Sequence, residues 1–280
     1  MPLYLGLSQW SHAGWPGSLL SRGLKSTEHL ADYARVFNTV EGNTSFYGMP
    51  DTQSLTRWAA MTGDDFRFTF KFPSTVSHQG RLGDNIAPAQ AFIEQLTPLH
   101  HKLGMLMLQL PAACGPEQLD GLAHLLEALP DGFEVGVEVR HPAFFAKGEA
   151  ERRLNRLLLE RGVNRIIMDS RTVFAVAPAT PALADAQQKK PRVPVHIIST
   201  GHSPVVRFIG NPDLPANTPF WQPWLPRLRG WLDEGKSVYL FVHTADNVEA
   251  PALAAALAEA LGMTLPAFPG QIPDAQGSLF

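Results

Sequence analysis

The chain has 280 residues, 45% hydrophobic and 18% charged, with 23 basic and 26 acidic residues and a formal charge of −3. This is an ordinary globular composition without the like-charge runs of a disordered tail, and with no basic excess there is no strong sign of nucleic-acid binding. Cys114 is the only cysteine, which excludes an intrachain disulfide. No apolar run approaches the ~20 residues of a membrane helix, and the N-terminus reads as a strand rather than a basic-then-apolar leader. A cytoplasmic location without a membrane partner is expected.

Taken in order, short β-branched or aromatic runs end in polar residues. LYLGLS ends at Ser8, VFNTVEGN carries Glu41 and Asn43, FRFTFK ends at Lys71 and LGMLMLQ at Gln109. GFEVGVEVRHP carries Glu138, VNRIIMD ends at Asp169, VVRF carries Arg207 and SVYLFVH ends at His243. Subtracting successive positions gives gaps of 33, 30, 38, 29, 31, 38 and 36. A strand, a crossover helix and two loops need about 30 residues, and eight such units fit an α/β fold, a single (β/α)8 TIM-type barrel of roughly 250 residues. The barrel is expected over residues 1–262, with a C-terminal tail over 263–280 that packs on it or frays.

The connections carry helix signals. Ser26 precedes TEHLADYARVF, Asp51 can cap a helix burying Leu55 and Trp58, and Pro88 and Pro116 open two more. Glu149 to Arg161, Trp221 to Leu232 and Pro251 to Leu261 read as further helices, with Gly162 and Gly262 as stops. The connection after the sixth strand differs. Arg171 to Pro204 holds five prolines and no clean helical stripe, so an irregular loop is expected there, either a binding lid or a surface excursion.

Strand parity sorts the polar residues. Val135, Val137 and Val139 face one way and Gly136, Glu138 and Arg140 the other. The phenylalanines of FRFTFK should face helices, which leaves Thr69 and Lys71 inside. Thr39, Glu41 and Asn43 go inward by the same rule, Ile167 is read as sharing the inner face with Asp169, Arg207 goes with Val205, and His243 with Tyr239 and Phe241. The C-terminal rim, where barrel active sites sit, should therefore carry Ser8, Glu41, Asn43, Lys71, Gln109, Glu138, Arg140, Asp169, Arg207 and His243. His78 follows in the loop after Lys71. Trp10, Trp15, Phe46 and Tyr47 could form an aromatic wall or a hydrophobic plug. The charges could instead pair among themselves, Glu138 with Arg207 or Arg140 with Asp169.

Five segments carry a family resemblance: FNTVEGNTSFYGMP, Lys71 to His78, LQLPAACGP, VEVRHPAFF and VYLFVHTADN. Over Gly6 to about Leu257 the chain resembles the DUF72, or YecE-like, family. The resemblance implies a (β/α)8 barrel and a bacterial or archaeal setting, and it implies no reaction. The family's recurring polar positions match Glu41, Asn43, Lys71, His78, Gln109, Glu138, Arg140, His141, Asp169 and Arg207. The chain departs from the family at GLSQW, where a GTSGW-like opening is usual, and at Val242 to Thr244, where asparagines are usual.

The expected function is acid–base or hydrolytic chemistry on a small anionic, phosphorylated or sugar-like, substrate. Glu41, Glu138 and Asp169 would be catalytic, with the environments of the two glutamates separating their pKa values. Asn43, Lys71, His78, Gln109, Arg140, Arg207 and His243 would bind substrate. No glycine-rich nucleotide loop or nucleophile elbow is present, and no cofactor is expected. Two alternatives stand beside this reading. One is a divalent-metal enzyme using Glu41, Glu138, Asp169 and His243, although no HxH or HExxH spacing supports it. The other is a non-catalytic binding or adaptor protein.

Overall fold

Each strand run buries residues of both parities, so each needs cover on both sides and a hydrogen-bonding neighbour on both edges. In the computed structural model, which describes residues 2–272, closure meets both needs. Eight parallel strands form a closed barrel in sequence order: β1 (Leu3–Leu7), β2 (Thr39–Gly42), β3 (Arg67–Lys71), β4 (Leu103–Gln109), β5 (Val135–Glu138), β6 (Asn164–Asp169), β7 (Val205–Gly210) and β8 (Val238–Thr244). β8 returns to β1 with Leu3 opposite Val238 and Leu7 opposite Val242. One main helix follows each strand: α1 (His29–Val36), α2 (Thr52–Met61), α3 (Ile86–Gln95), α4 (Leu119–Glu127), α5 (Glu149–Glu160), α6 (Pro181–Lys189), α7 (Trp224–Asp233) and α8 (Ala250–Ala260).

The local signals act as their chemistry dictates. Asp51 accepts the Ser54 amide hydrogen bond at 2.6 Å, capping α2. Gly162 and Gly262 take positive φ, 63° and 81°, just past α5 and α8. The main hydrophobic core lies between strands and helices and takes Val40, Phe68, Phe70, Val135, Val137 and Val139. A smaller cluster fills the barrel itself: Met105, Met107, Ile166, Val205, Tyr239 and Phe241, with Tyr4 stacked on Tyr239 at 4.5 Å.

The connection after β6 is more ordered than its prolines suggest. Thr180 caps α6 by accepting from the Leu183 amide at 3.2 Å, Pro181 opens the helix, and Leu183 and Ala186 bury against Met168, Val173 and Ile209. Thr180-Pro181 is a helix-start signal that needs no long apolar stripe behind it. Residues 190–204 then run without regular structure but are pinned along their length. Ser170 donates to the Pro191 carbonyl at 2.9 Å, His196 meets Glu151 at 2.6 Å, Thr200 donates to the Val163 carbonyl at 2.6 Å, and the Ser203 amide donates to Asn164 at 2.9 Å.

After Gly262 the chain lies along the barrel, with Phe268 6.4 Å from Phe37 and Pro269 buried. The rest of the expected tail, 273–280, lies outside the described residues. No helix among the described residues is long and apolar enough to cross a membrane.

Candidate functional site

Parallel strands deliver their C-terminal ends to one rim, so the polar ends meet there. Glu41 on β2 lies deepest and is fully buried. Arg207 reaches it from across the barrel, donating through Nε at 2.8 Å and Nη2 at 2.6 Å. The third arm of the same guanidinium, Nη1, donates to Glu138 on β5. Arg140, just past β5, meets the other Glu138 oxygen through Nε and Nη2, both at 2.8 Å. Lys71 at the end of β3 donates to Gln109 at 3.0 Å and lies 3.4 Å from Glu41. His243 at the end of β8 places Nε2 3.1 Å from Glu41.

These contacts set the charge states. Burial pushes the Glu41 carboxyl up, but Arg207, Lys71 and His243 outweigh it and hold Glu41 well below the usual carboxylate range. Burial opposes ionisation of Glu138 too, yet Arg207, Arg140 and Lys71 bring it down to about 2. The two glutamates are thus both ionised, not separated into an acid and a base, because one guanidinium serves both. Lys71 moves the other way: burial and Arg207 lower it to about 8 against the pull of Glu41 and Glu138. Burial lowers His243 to about 4. Since Glu41 can only accept, the His243 proton sits on Nε2 and Nδ1 remains an acceptor.

Above this network opens a cavity of about 300 Å³ whose lining includes Lys71, Gln109, Arg140, Arg207, His243 and Asn43. Asn43 is fixed by donating to the Ser8 carbonyl at 2.8 Å. His78 stands behind the wall, its ring edge-on to Phe46 at 5.0 Å, and burial with nearby Arg140 and Lys71 lowers its pKa. His141 caps the turn Pro142–Phe145 by accepting from the Ala143 amide at 3.2 Å.

Asp169 is elsewhere, and the inward placement read from the sequence is corrected. On β6, Ile166 and Met168 point inward, while Arg165, Ile167 and Asp169 point toward the helices. Asp169 accepts from Arg171 at 2.9 and 2.6 Å and from the Trp224 indole at 2.8 Å. The run NRIIMD is buried on both faces, so apolar alternation does not fix its parity. Arg165 does: inside the barrel it would face an apolar cluster, whereas outside it meets Glu151 at 3.0 Å and Asn155 at 2.6 Å.

The aromatic wall divides as well. Trp15 is buried, with its indole donating to the Asn247 carbonyl at 2.9 Å, and Trp10 packs edge-on against Trp58 at 4.9 Å, whereas Phe46 and Tyr47 line the cavity. Five further lining residues have no role in the site read from the sequence: Ser8, Gln9, Lys189, Lys190 and Asn247. Ser8 was placed on the rim without a role. The two lysines end α6, and the packing of that helix together with the pinning contacts described above brings them over the mouth. Asn247 has φ 62°, a conformation in which asparagine is enriched. Among the described residues no three His, Cys, Asp or Glu side chains gather as a metal-binding group.

The family model described as "Protein of unknown function DUF72" matches residues 4–276. The chain is 48% identical over 280 residues to UPF0759 protein YecE of Escherichia coli strain K12, covering 99% of this chain and 100% of that protein. It is 47% identical over the same length, with the same coverage, to the protein of that name from E. coli O157:H7. A crystal structure of a DUF72 family protein from Enterococcus faecalis V583 superposes with TM-score 0.72 at 18% identity, covering 95% of this chain and 98% of that one. One from Thermotoga maritima MSB8 superposes with TM-score 0.67 at 22% identity, covering 93% and 99%. These likenesses carry the fold.

Proposed function

The chain belongs to the DUF72 family, and we propose that it is an enzyme performing acid–base chemistry on a small anionic substrate held in the barrel mouth. One observation carries this reading. Lys71, Arg140, Lys190 and Arg207 line one cavity, while the carboxylates that face them, Glu41 and Glu138, are only two and are already engaged beneath it. A pocket with surplus positive charge attracts and orients an anion.

The roles differ from those the sequence suggests. Arg207 spends all three arms on protein carboxylates and serves as a strut. Glu41 and Glu138 stay ionised and hold the cations in place. His243, neutral near pH 7 and oriented by Glu41, offers Nδ1 as the general base. Lys71, charged at neutral pH but close to releasing its proton, supplies the acid or steadies a developing oxyanion.

The test is a thermal-shift panel of small anions against neutral compounds of matched size, followed by turnover of each stabilising anion. Anions should raise the melting temperature and neutral partners should not. Turnover should fall by roughly 10²-fold or more in His243→Asn, the typical share of general acid–base catalysis, with binding retained. Stabilisation by neutral compounds alone would remove the anion site. Anions bound but left unchanged by the wild type would make this a binding protein.

A further inference from the structure

We propose that the anion is a dianionic phosphate monoester, its phosphoryl group seated among Ser8, Lys190 and Arg140. This rests on the anion site proposed above and goes further by fixing the ligand's charge and shape.

Charge comes first. Lys189 is matched by Asp185 at 2.7 Å. That leaves Lys71, Arg140, Lys190 and Arg207 around the cavity against Glu41 and Glu138, two positive charges in excess, with His243 neutral. A monoanion would neutralise half of that surplus. A phosphate monoester carries −1.5 to −2 at pH 7.

The unused donors come second. All three nitrogens of Arg207 are engaged by carboxylates, and Lys71 has given one of its three N–H groups to Gln109. Three further groups around the cavity offer free donors. Ser8 lines the cavity, and its buried hydroxyl has no hydrogen-bond partner among the described residues. An orphaned buried hydroxyl is costly and rare, so its presence on the wall of a charged cavity points to a ligand atom. The Lys190 ammonium, carried in from the connection after β6, has neither a hydrogen bond nor a carboxylate partner among the described residues, although burial and Arg207 lower it to about 8. Arg140 commits Nε and Nη2 to Glu138, and its Nη1 has no protein partner among the described residues.

These donors come from three separate parts of the wall: the end of β1, the end of β5 and the connection after β6. A planar carboxylate turns two oxygens in one direction, whereas a phosphoryl group offers three oxygens in three. At about 300 Å³ the cavity has room for that group and a short carbon skeleton.

The test is calorimetric titration at pH 8 and low salt with four probes: glycerol 3-phosphate, inorganic phosphate, glycerate and glycerol. Glycerol 3-phosphate should bind at least tenfold more tightly than glycerate. It should also draw protons onto Lys71 and Lys190, read as a dependence of the heat on buffer ionisation. Lys190→Met should weaken the phosphate ester about tenfold and glycerate less than threefold, and Lys190→Arg should restore most of the loss. Ser8→Ala should weaken the ester several-fold. Inorganic phosphate binding as tightly as the ester would support the phosphoryl seat and assign its occupant as free phosphate. Glycerate binding as tightly as the ester, or losing as much in Lys190→Met, would overturn the dianion seat and leave an anion site standing. Glycerol binding as well as glycerate would overturn the anion site itself.

Discussion

Arg207 grips both carboxylate oxygens of Glu41, Nε at 2.8 Å and Nη2 at 2.6 Å, from the far side of the barrel, and both side chains are buried. Such a bidentate pair is geometrically specific. Removing one partner strands the other charge, which typically costs 3–5 kcal/mol. Arg207→Met strands two carboxylates, and a loss of about 3–5 kcal/mol in urea unfolding is expected. Adding Glu138→Gln to Arg207→Met should recover part of that loss, since Lys71 and His243 still attend Glu41. Losses that simply add would mean that Arg207 and Glu138 are not coupled.

Stability should depend on pH at both ends. Glu138, where burial is outweighed by Arg207, Arg140 and Lys71, sits at about 2 when folded and near 4.3 when unfolded. Its contribution is fully present above the unfolded value and disappears as pH falls toward 2, and Glu41 acts in the same direction. His243, lowered by burial to about 4, starts near 6.5 in the unfolded chain, so the unfolded state takes up its proton first and stability declines already below about pH 6.5.

Lys71, lowered by burial and Arg207 to about 8, is near 10.4 when unfolded. Between those values the unfolded chain holds more protons, and stability should rise with pH. Urea midpoints from pH 3 to 10 check both limbs. Glu138→Gln should flatten the acid limb, and Lys71→Met should remove part of the alkaline gain, the rest coming from Lys190, which burial and Arg207 also lower to about 8. A wild type with no gain between pH 8 and 10 would contradict a costly charged Lys71.

Asp169 separates structure from site. Asp169→Asn weakens the Arg171 pair and the Trp224 contact, and a stability loss of about 1.5–3 kcal/mol is expected, the range for a hydrogen bond to a charged group. Affinity for any cavity ligand should change less than twofold, because the side chain faces the helices. A large affinity loss at unchanged stability would put Asp169 back in the mouth.

Gly6 lies on the inner face of β1, where an added Cβ would stand 2.1 Å from the Thr39 carbonyl oxygen. Backbone cannot yield as a flexible side chain does, so Gly6→Ala should cost about 3 kcal/mol or more, the upper range for overpacking. A melting temperature within a degree of wild type would show that β1 and β2 can part freely.

The barrel was legible because each strand run ends in a polar residue at intervals a strand and helix can fill. Register was legible in β2, β3 and β5, where bulky apolar residues keep to one parity; in β7 and β8 they occupy both, and there Arg207 and His243 mark the inner face. In β6 they occupy both, and only Arg165 betrays the true face. Sequence brings Glu41, Glu138 and Arg207 to one rim but does not say that one guanidinium saturates both carboxylates, since that depends on reach across the barrel. Lys190 was illegible for another reason. Its place is set by the end of α6, where its amide donates to the Ala186 carbonyl, and by hydrogen bonds that Ser170, Val163 and Asn164 make with the chain beyond it, not by a long apolar period.

The 166 positions between Glu41 and Arg207 also bear on how the chain matures on the ribosome. At 5–20 residues per second, roughly ten to thirty seconds of synthesis separate the two. Until then β1–β6 can assemble only an open barrel whose central carboxylate has Lys71 alone for company, and whose first edge awaits β8. Such an open barrel is a poor resting place: it holds an ill-compensated charge and an open strand edge. Completion of the barrel and neutralisation of its centre are one event, governed by long-range contacts that form slowly. Truncated chains ending before β7 should accordingly be clients of chaperones rather than stable fragments.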